Sequence, residues 1–556
     1  MIDLEKNKPT LAIYGIKDIK NNGYPAFVHD HNLSYFKEGQ LLKYLQLERL
    51  TRTKYDNSMD RMLVELLKKE KLLNTDYDLV FTDNVIGRAF IDQSGEARFE
   101  APLIQTLRDG LEEGKALWFG KERRAMILNH ELAHIYSCLP FFGNFKENSL
   151  LIHFDGGASL SNFSAWHYHH QELKKVEYHW ELKYLSSFFN ANALTFAIMG
   201  AREFDQHSVP GKLMGFASYG SYQPGIEAWL KANDFFSKIW SKKSVFFSKT
   251  REDWGIELKS FDQKNSFIQD IAATVQYIFQ RDFLDKLNEL KEKTNARYLY
   301  YSGGSALNIL TNSEIIRQKI FDDIFIPPCT NDSGLSVGAG ALVEQIKHGK
   351  VNLHSPYLNN WGIEDYQTIG FDDLKAVATL LQQGKVVAVC NGPGEVGPRA
   401  LGNRSILAKA DSVKLARKVS QVHKKREWYR PVAPVMLEKN TRYFTGVDII
   451  HPLSRYMLLD FSIDPAKRKA IEGVVHVDGT SRIQTLFSRN ENPFLYDLLE
   501  LLDTTYGIKA LINTSFNQKG EPIVHSREDA MRSASAMQLD AVVINGKLYR
   551  LNPNKT

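Results

Sequence analysis

Short apolar runs recur along the chain, and small residues follow each one: "TLAIYGI", "LVFTDNVIG", "LLIHFDGGAS" and "RYLYYSGGSALN". Runs of this length predict buried strands. Glycine behind a strand predicts either a tight turn or a loop whose backbone amides can approach a phosphate. Both uses need glycine's conformational freedom, so the succession of such turns carries more than any one of them. From about residue 160 to 290 the pattern changes to a helical period, in "ELKYLSSFFNANALTFAIMG" and "FIQDIAATVQYIFQRDFLDKLNELKE". The aromatic and aliphatic stripes there read as core. From about residue 350 to 368, the stretch "KVNLHSPYLNNWGIEDYQTIG" is polar, contains a proline and keeps no period, which predicts a linker. Beyond it, "LLQQGKVVAVCNGPGEVGPRALGNRS" resumes with strand, glycine turn and basic residues. The division expected is therefore 1–355 and 365–556, with no internal repeat and no low-complexity segment.

Size agrees with such a division, because 556 residues exceed one hydrophobic core and predict two to four domains. Composition adds mainly exclusions. A net charge of +5 against 70 basic and 65 acidic residues gives no case for a nucleic-acid partner, so any basic site is local. Cys138, Cys329 and Cys390 are odd in number and far apart, which fits reduced thiols rather than a disulfide framework or a zinc knuckle. The start, "MIDLEKNKPTLAIYG", has acids and a proline where a signal peptide needs an apolar run, and no later stretch approaches a membrane span. A cytoplasmic protein without membrane contact is expected.

Two stretches hold candidate chemistry. In "NHELAHIYS", His130 and His134 are four apart, so on a helix both imidazoles project to one side and can hold one ion. Two ordinary histidines on a helical face fit the spacing equally well at this point. In "GPGEVGPRALGNRSILA", two arginines, an asparagine and a serine lie among small residues, the composition of a loop that grips an oxyanion or carbonyl with bidentate arginine contacts. "KKREWYRPVAP", "HVDGTSRIQT" and "LINTSFNQKGEPIV" follow.

With these motifs the chain resembles the O-carbamoyltransferases of the nodulation protein U, cephamycin and tobramycin carbamoyltransferase family, from "YGIKDIKNNGYPAFVHDHNL" and "LERLTRTKYD" to "NTSFNQKGEPIV". The resemblance implies an α/β and α+β protein of two domains. The first would be actin-like, in the variant shared with the threonylcarbamoyl transferases; the second would be YrdC-like. In the second, Lys424 with Arg426 and Ser515 with Asn517 would hold ATP with its Mg(II), the cations stabilising charge on the leaving pyrophosphate. Arg399, Asn403 and Arg404 would grip carbamoyl phosphate, helped by Arg430, Arg482 and Asn513. In the first, the resemblance makes His130 and His134 ligands of a divalent metal together with Asp155 and Asp332. Fe(II) is foremost, with Mn(II) or Zn(II) as alternatives. Gly157, Ser159, Lys212, Gly303, Gly304 and Asn308 would receive the nucleotide.

The activity so implied has two steps: carbamoyl phosphate and ATP give carbamoyl adenylate, and a hydroxyl, or an amine, of a small natural-product acceptor takes the carbamoyl group. Carbamoylation of tRNA or protein and a nucleotide-binding pseudoenzyme are the alternatives. A homodimer is compatible with the resemblance. One departure concerns the base. The family's histidine, in a Gly-x-His-Asp stretch before a strand, aligns with Asn21 and Asn22, so that Asn21 would only position the acceptor. His29 or His31 would replace it if the alignment is shifted.

Overall fold

The computed structural model describes residues 4–15, 17–18, 29–83, 89–91, 95–100, 110–159, 161–179, 192–200 and 206–551. The apolar runs become strands as expected. "TLAIY" forms the buried strand Thr10–Tyr14, "SLLIHF" the buried strand Ser149–Phe154, and "YLYYS" the strand Tyr298–Ser302. Of the two helical stretches, the second forms the long helix Ser266–Thr294, with the Asn265 side chain capping its start. The first yields the helix Ala193–Ile198, and its residues 181–191 lie outside the described residues.

No repeat is visible in the sequence, yet the strand order repeats. In the first sheet the strands Thr10–Tyr14, Asn32–Lys37, Gln40–Gln46, Asp78–Asp83 and Lys121–Asn129 stand in the order 3-2-1-4-5. The first three are antiparallel neighbours, and the last two run parallel to the first. In the second sheet Ser149–Phe154, Phe163–His169, Glu172–His179, Tyr298–Ser302 and Asp323–Phe325 repeat this order and these directions. Such a duplication is what an actin-like first domain requires. A helix follows the fifth strand of each repeat, His130–Tyr136 in one and Leu335–His348 in the other. They touch at Gly338, where a Cβ would come within 1.8 Å of the Ala133 carbonyl oxygen. Only glycine permits that crossing.

The third sheet is built from later residues, in the order Gln484–Leu486, Ala433–Leu437, Leu511–Ser515, Arg404–Lys409, Val387–Cys390, Ala541–Ile544 and Lys547–Arg550. Its parallel and antiparallel pairs are mixed. The segment expected to be a linker has no helix or regular strand, but it is packed rather than free. Trp361 is fully buried in the core beneath the first sheet, and Asn359 bridges Tyr44 to Gly394. One apolar cluster joins Leu150, Phe279 and Tyr301 to Ala388, Ile406 and Ile512, so the second and third sheets share a core. Among the described residues no helix is long and apolar enough to cross a membrane.

Candidate functional site

His130 and His134 lie on a helix that leaves its strand at Asn129, whose side chain caps the start by accepting from the Leu132 amide at 2.8 Å. Every residue of this helix is buried. The two imidazoles therefore turn inward, and their Nε2 atoms stand 3.0 Å apart. Asp332 precedes the equivalent helix of the other repeat and brings Oδ1 to 3.6 Å from His130 Nε2 and 3.4 Å from His134 Nε2. Asp155, just after the strand Ser149–Phe154, places Oδ2 3.5 Å from His134 Nε2. Donors around one ion at bonds of about 2.1 Å stand about 3.0 to 3.4 Å from one another, so this set fits a single divalent metal. The duplicated fold explains the convergence, because the two repeats deliver His130 and Asp332 from equivalent ends.

The surroundings favour the carboxylate form. Tyr14 donates to Asp332 Oδ2 at 2.9 Å. Burial alone would raise the Asp332 pKa, but His29 and His130 beside it outweigh burial and hold the carboxyl well below its usual range. Asp155 Oδ1 accepts from the Gly156 amide at 2.5 Å and Oδ2 from the Gly304 amide at 2.6 Å.

Asn21 and Asn22 lie outside the described residues. What reaches the centre is His29. Its Nε2 is 3.8 Å from Asp332 Oδ2 and its Nδ1 3.1 Å from Asp30 Oδ2, and its ring lies 3.9 Å from that of His207. Burial lowers its pKa, while Asp332 and Asp30 raise it further, to about 9. The His29-Asp30 pair stands just before the strand Asn32–Lys37 and the turn at Gly39. His31 is held away from the centre: it is fully buried, and its Nδ1 accepts from the Met59 amide at 3.3 Å.

The residues expected to receive nucleotide are divided. Gly303 and Gly304 border the centre. Gly303 has φ +104°, and a Cβ there would come within 2.2 Å of the Phe154 carbonyl oxygen. Ser159 Oγ accepts from the His130 amide at 3.1 Å, so it ties the metal helix, and half-buried Gly157 lies in the same loop. Asn308 caps the helix Ile309–Arg317 and bonds Gln276 at 3.2 Å, which makes it structural in this state. Lys212 pairs with Glu427 of the later unit at 3.3 Å.

In the later unit, Lys424 and Arg426 meet Ser515 and Asn517 as expected. Lys424 Nζ donates to the Ser515 carbonyl, to Asn517 O and Oδ1, both at 2.8 Å, and to Ser515 Oγ at 3.3 Å. Arg426 donates to Ser515 Oγ at 3.3 Å. Burial and neighbouring arginines push Lys424, Arg426 and Arg482 well below their ordinary pKa values. The same causes, Arg430 and Arg426 among them, take Arg399 to about 10. Nε of Arg399 and of Arg482 is buried without a partner among the described residues. Glu427 lies 3.3 Å from Arg430. So concentrated a positive charge suits a polyanion.

Three residues expected to grip carbamoyl phosphate are bonded within the protein. Arg404 does not face this cluster with free donors. It is 1% exposed, and its guanidinium donates to the carbonyls of Asn403, Val524 and His525 at 2.9–3.1 Å. Asn403 donates to the Pro393 carbonyl and accepts from Asn492, and Asn513 donates to Ala400 O and Gln484 Oε1. All three hold the loop that presents Arg399. Sequence reasoning missed the residue that organises it, Glu395, which is fully buried and whose Oε1 accepts from the amides of Leu401, Asn403 and Arg404 at 2.7–3.1 Å. It also missed His153, on the strand leading to Asp155; the "LLIHFDGG" run itself was the available signal, a histidine among apolar residues.

Residues 115–341 match the family model described as carbamoyltransferase N-terminus, and residues 378–550 match carbamoyltransferase C-terminus. Nodulation protein NolNO of Sinorhizobium fredii is 28% identical over 567 residues, covering 94% of this chain and 79% of that one. Nodulation protein U of Rhizobium fredii is 27% identical over 597 residues, covering 99% and 96%. Among solved structures, full-length HypF in its phosphate- and nucleotide-bound form overlaps 33% of this chain and 22% of its own, with 21% identity and a TM-score of 0.24, too little to carry an argument. With both family models matched in order and relatives aligned nearly end to end, the chain belongs to the carbamoyltransferase family and is an enzyme of two-domain carbamoyltransferase architecture.

Proposed function

We propose that this carbamoyltransferase works in two half-reactions, one in each of the units 1–355 and 365–556. In the later unit water cleaves carbamoyl phosphate into carbamate and inorganic phosphate. A carbamate oxygen then attacks the α-phosphorus of ATP, and pyrophosphate departs from carbamoyl adenylate. In the earlier unit the hydroxyl of a small-molecule acceptor attacks the carbamoyl carbon, AMP leaves, and His29 takes the hydroxyl proton.

The observation that carries the first step is the cluster of Lys424, Arg426, Arg482 and Arg399 beside Arg430, in which burial and then mutual repulsion depress the pKa values of those four, with Glu427 3.3 Å from Arg430. ATP with Mg(II) and carbamoyl phosphate supply the missing negative charge. The second step is supported by the donor set at 3.0–3.6 Å, in which His130, His134, Asp332 and Asp155 would hold the divalent ion, Fe(II) foremost. Such an ion supplies Lewis acidity toward the carbamoyl carbonyl. His29 is favoured over Asn21 as base because it stands 3.8 Å from Asp332 and an imidazole can accept a proton, which asparagine cannot; a divalent ion on Asp332 would offset the carboxylate that raises its pKa and so free the neutral ring.

Lys424→Ala and Arg426→Ala test the reading. Each should lower carbamoyl-phosphate-dependent pyrophosphate release by at least about 10²-fold, with metal content unchanged. Release at the wild-type rate in both variants would sink the assignment.

A further inference from the structure

We propose that His153 is a third imidazole donor of the metal centre, beside His130 and His134; the proposal rests on that centre holding a metal. His153 is fully buried on the strand Ser149–Phe154. Neighbouring Ile152 and Phe154 face away, into the core around Phe279 and Phe283, so His153 shares the other face with Leu151, which packs with Leu132 and Ala133 of the metal helix. A polar ring on an apolar face is costly unless both nitrogens are used. Nδ1 has a partner, the Ser164 hydroxyl at 3.2 Å on the adjacent strand. Nε2 is buried and has none among the described residues.

The place of the ring gives that nitrogen a use. It stacks on His134 with centroids 5.2 Å apart and planes at 25°, and meets His130 edge-on at 6.1 Å. One ligand atom each from His130, His134, His153 and Asp155 lies within 4.8 Å of the others. With Nδ1–H donated to Ser164, Nε2 carries a lone pair, the arrangement by which an outer oxygen fixes the tautomer of a metal-bound histidine. Asp155 keeps lone pairs beyond those that accept its two backbone amides. With Asp332 and Asp155, the three imidazoles make a nitrogen-rich set. That set favours Fe(II), Co(II) or Zn(II) over Mg(II) or Mn(II).

The test uses the full chain loaded with Zn(II). X-ray absorption should count three imidazoles in the wild type and two in His153→Ala, and competition with a chelator should show at least about tenfold weaker zinc binding in the variant. His153→Gln provides a second variant if alanine impairs folding, and the wild-type count needs neither. Two imidazoles in the wild type and unchanged zinc affinity in both variants would overturn the role of His153 while leaving the centre in place. A wild type that binds zinc no better than His130→Ala with His134→Ala would overturn the centre and this assignment together.

Discussion

Whether an acceptor hydroxyl is deprotonated in the metal centre turns on His29. A positioned base is worth roughly 10²- to 10⁴-fold, so His29→Ala should slow carbamoyl transfer by about that factor and leave pyrophosphate release intact. Transfer at the wild-type rate in His29→Ala, measured by the mass gain of one carbamoyl group, would return the role to the region of Asn21. The sequence held the His29-Asp30 pair in plain view, but residue type does not reveal that this ring reaches Asp332. The bonds of Arg404, Asn403 and Asn513 were hidden for a related reason. Residue type reveals that a donor exists, not whether a backbone carbonyl has already taken it.

Elements set the spacing of the ligands. The helix His130–Tyr136 carries two of them and the helix Leu335–His348 follows a third, Asp332, so the Gly338 crossing fixes the distance between them. Gly338→Ala would force a methyl group against the Ala133 carbonyl oxygen. The expected cost is about 1–3 kcal/mol of stability, together with weaker metal binding as His130 and His134 move from Asp332. Chemical denaturation with a metal titration checks both, and a variant with wild-type values for each would show that the crossing does not control the site. The helix of the metal ligands and the strands before the glycine loops were legible because period and turn chemistry are local. The crossing was not, since a glycine inside a helix says nothing of what approaches it.

At the scale of the molecule the two units are clasped beside both centres. Arg52 donates to the carbonyls of Pro522 at 2.8 Å and Ile523 at 2.6 Å and lies 3.5 Å from Asp529, while Arg49 donates to the Gly397 carbonyl at 2.7 Å, in the loop that presents Arg399. Arg52→Ala removes two charge-assisted bonds of about 1.5–3 kcal/mol each. The unfolding midpoint should fall, and more pyrophosphate should be released per carbamoyl group transferred, as the adenylate escapes to water. An unchanged ratio would separate the clasp from the passage of the intermediate. The repeat of strand order in the first two sheets could not be read from the sequence. Two strand orders coincide there without shared residues, and the core common to the second and third sheets forms only when distant apolar runs meet.

The central claim is that activation and transfer occupy separate sites. Pyrophosphate release in the presence of ATP and carbamoyl phosphate, compared between Lys424→Ala and the combined His130→Ala, His134→Ala variant, tests it most directly. The account predicts that the lysine variant retains its metal and releases no pyrophosphate, while the histidine variant loses its metal and releases pyrophosphate near the wild-type rate. Loss of release in the histidine variant with its fold intact, or full release in the lysine variant, would contradict it.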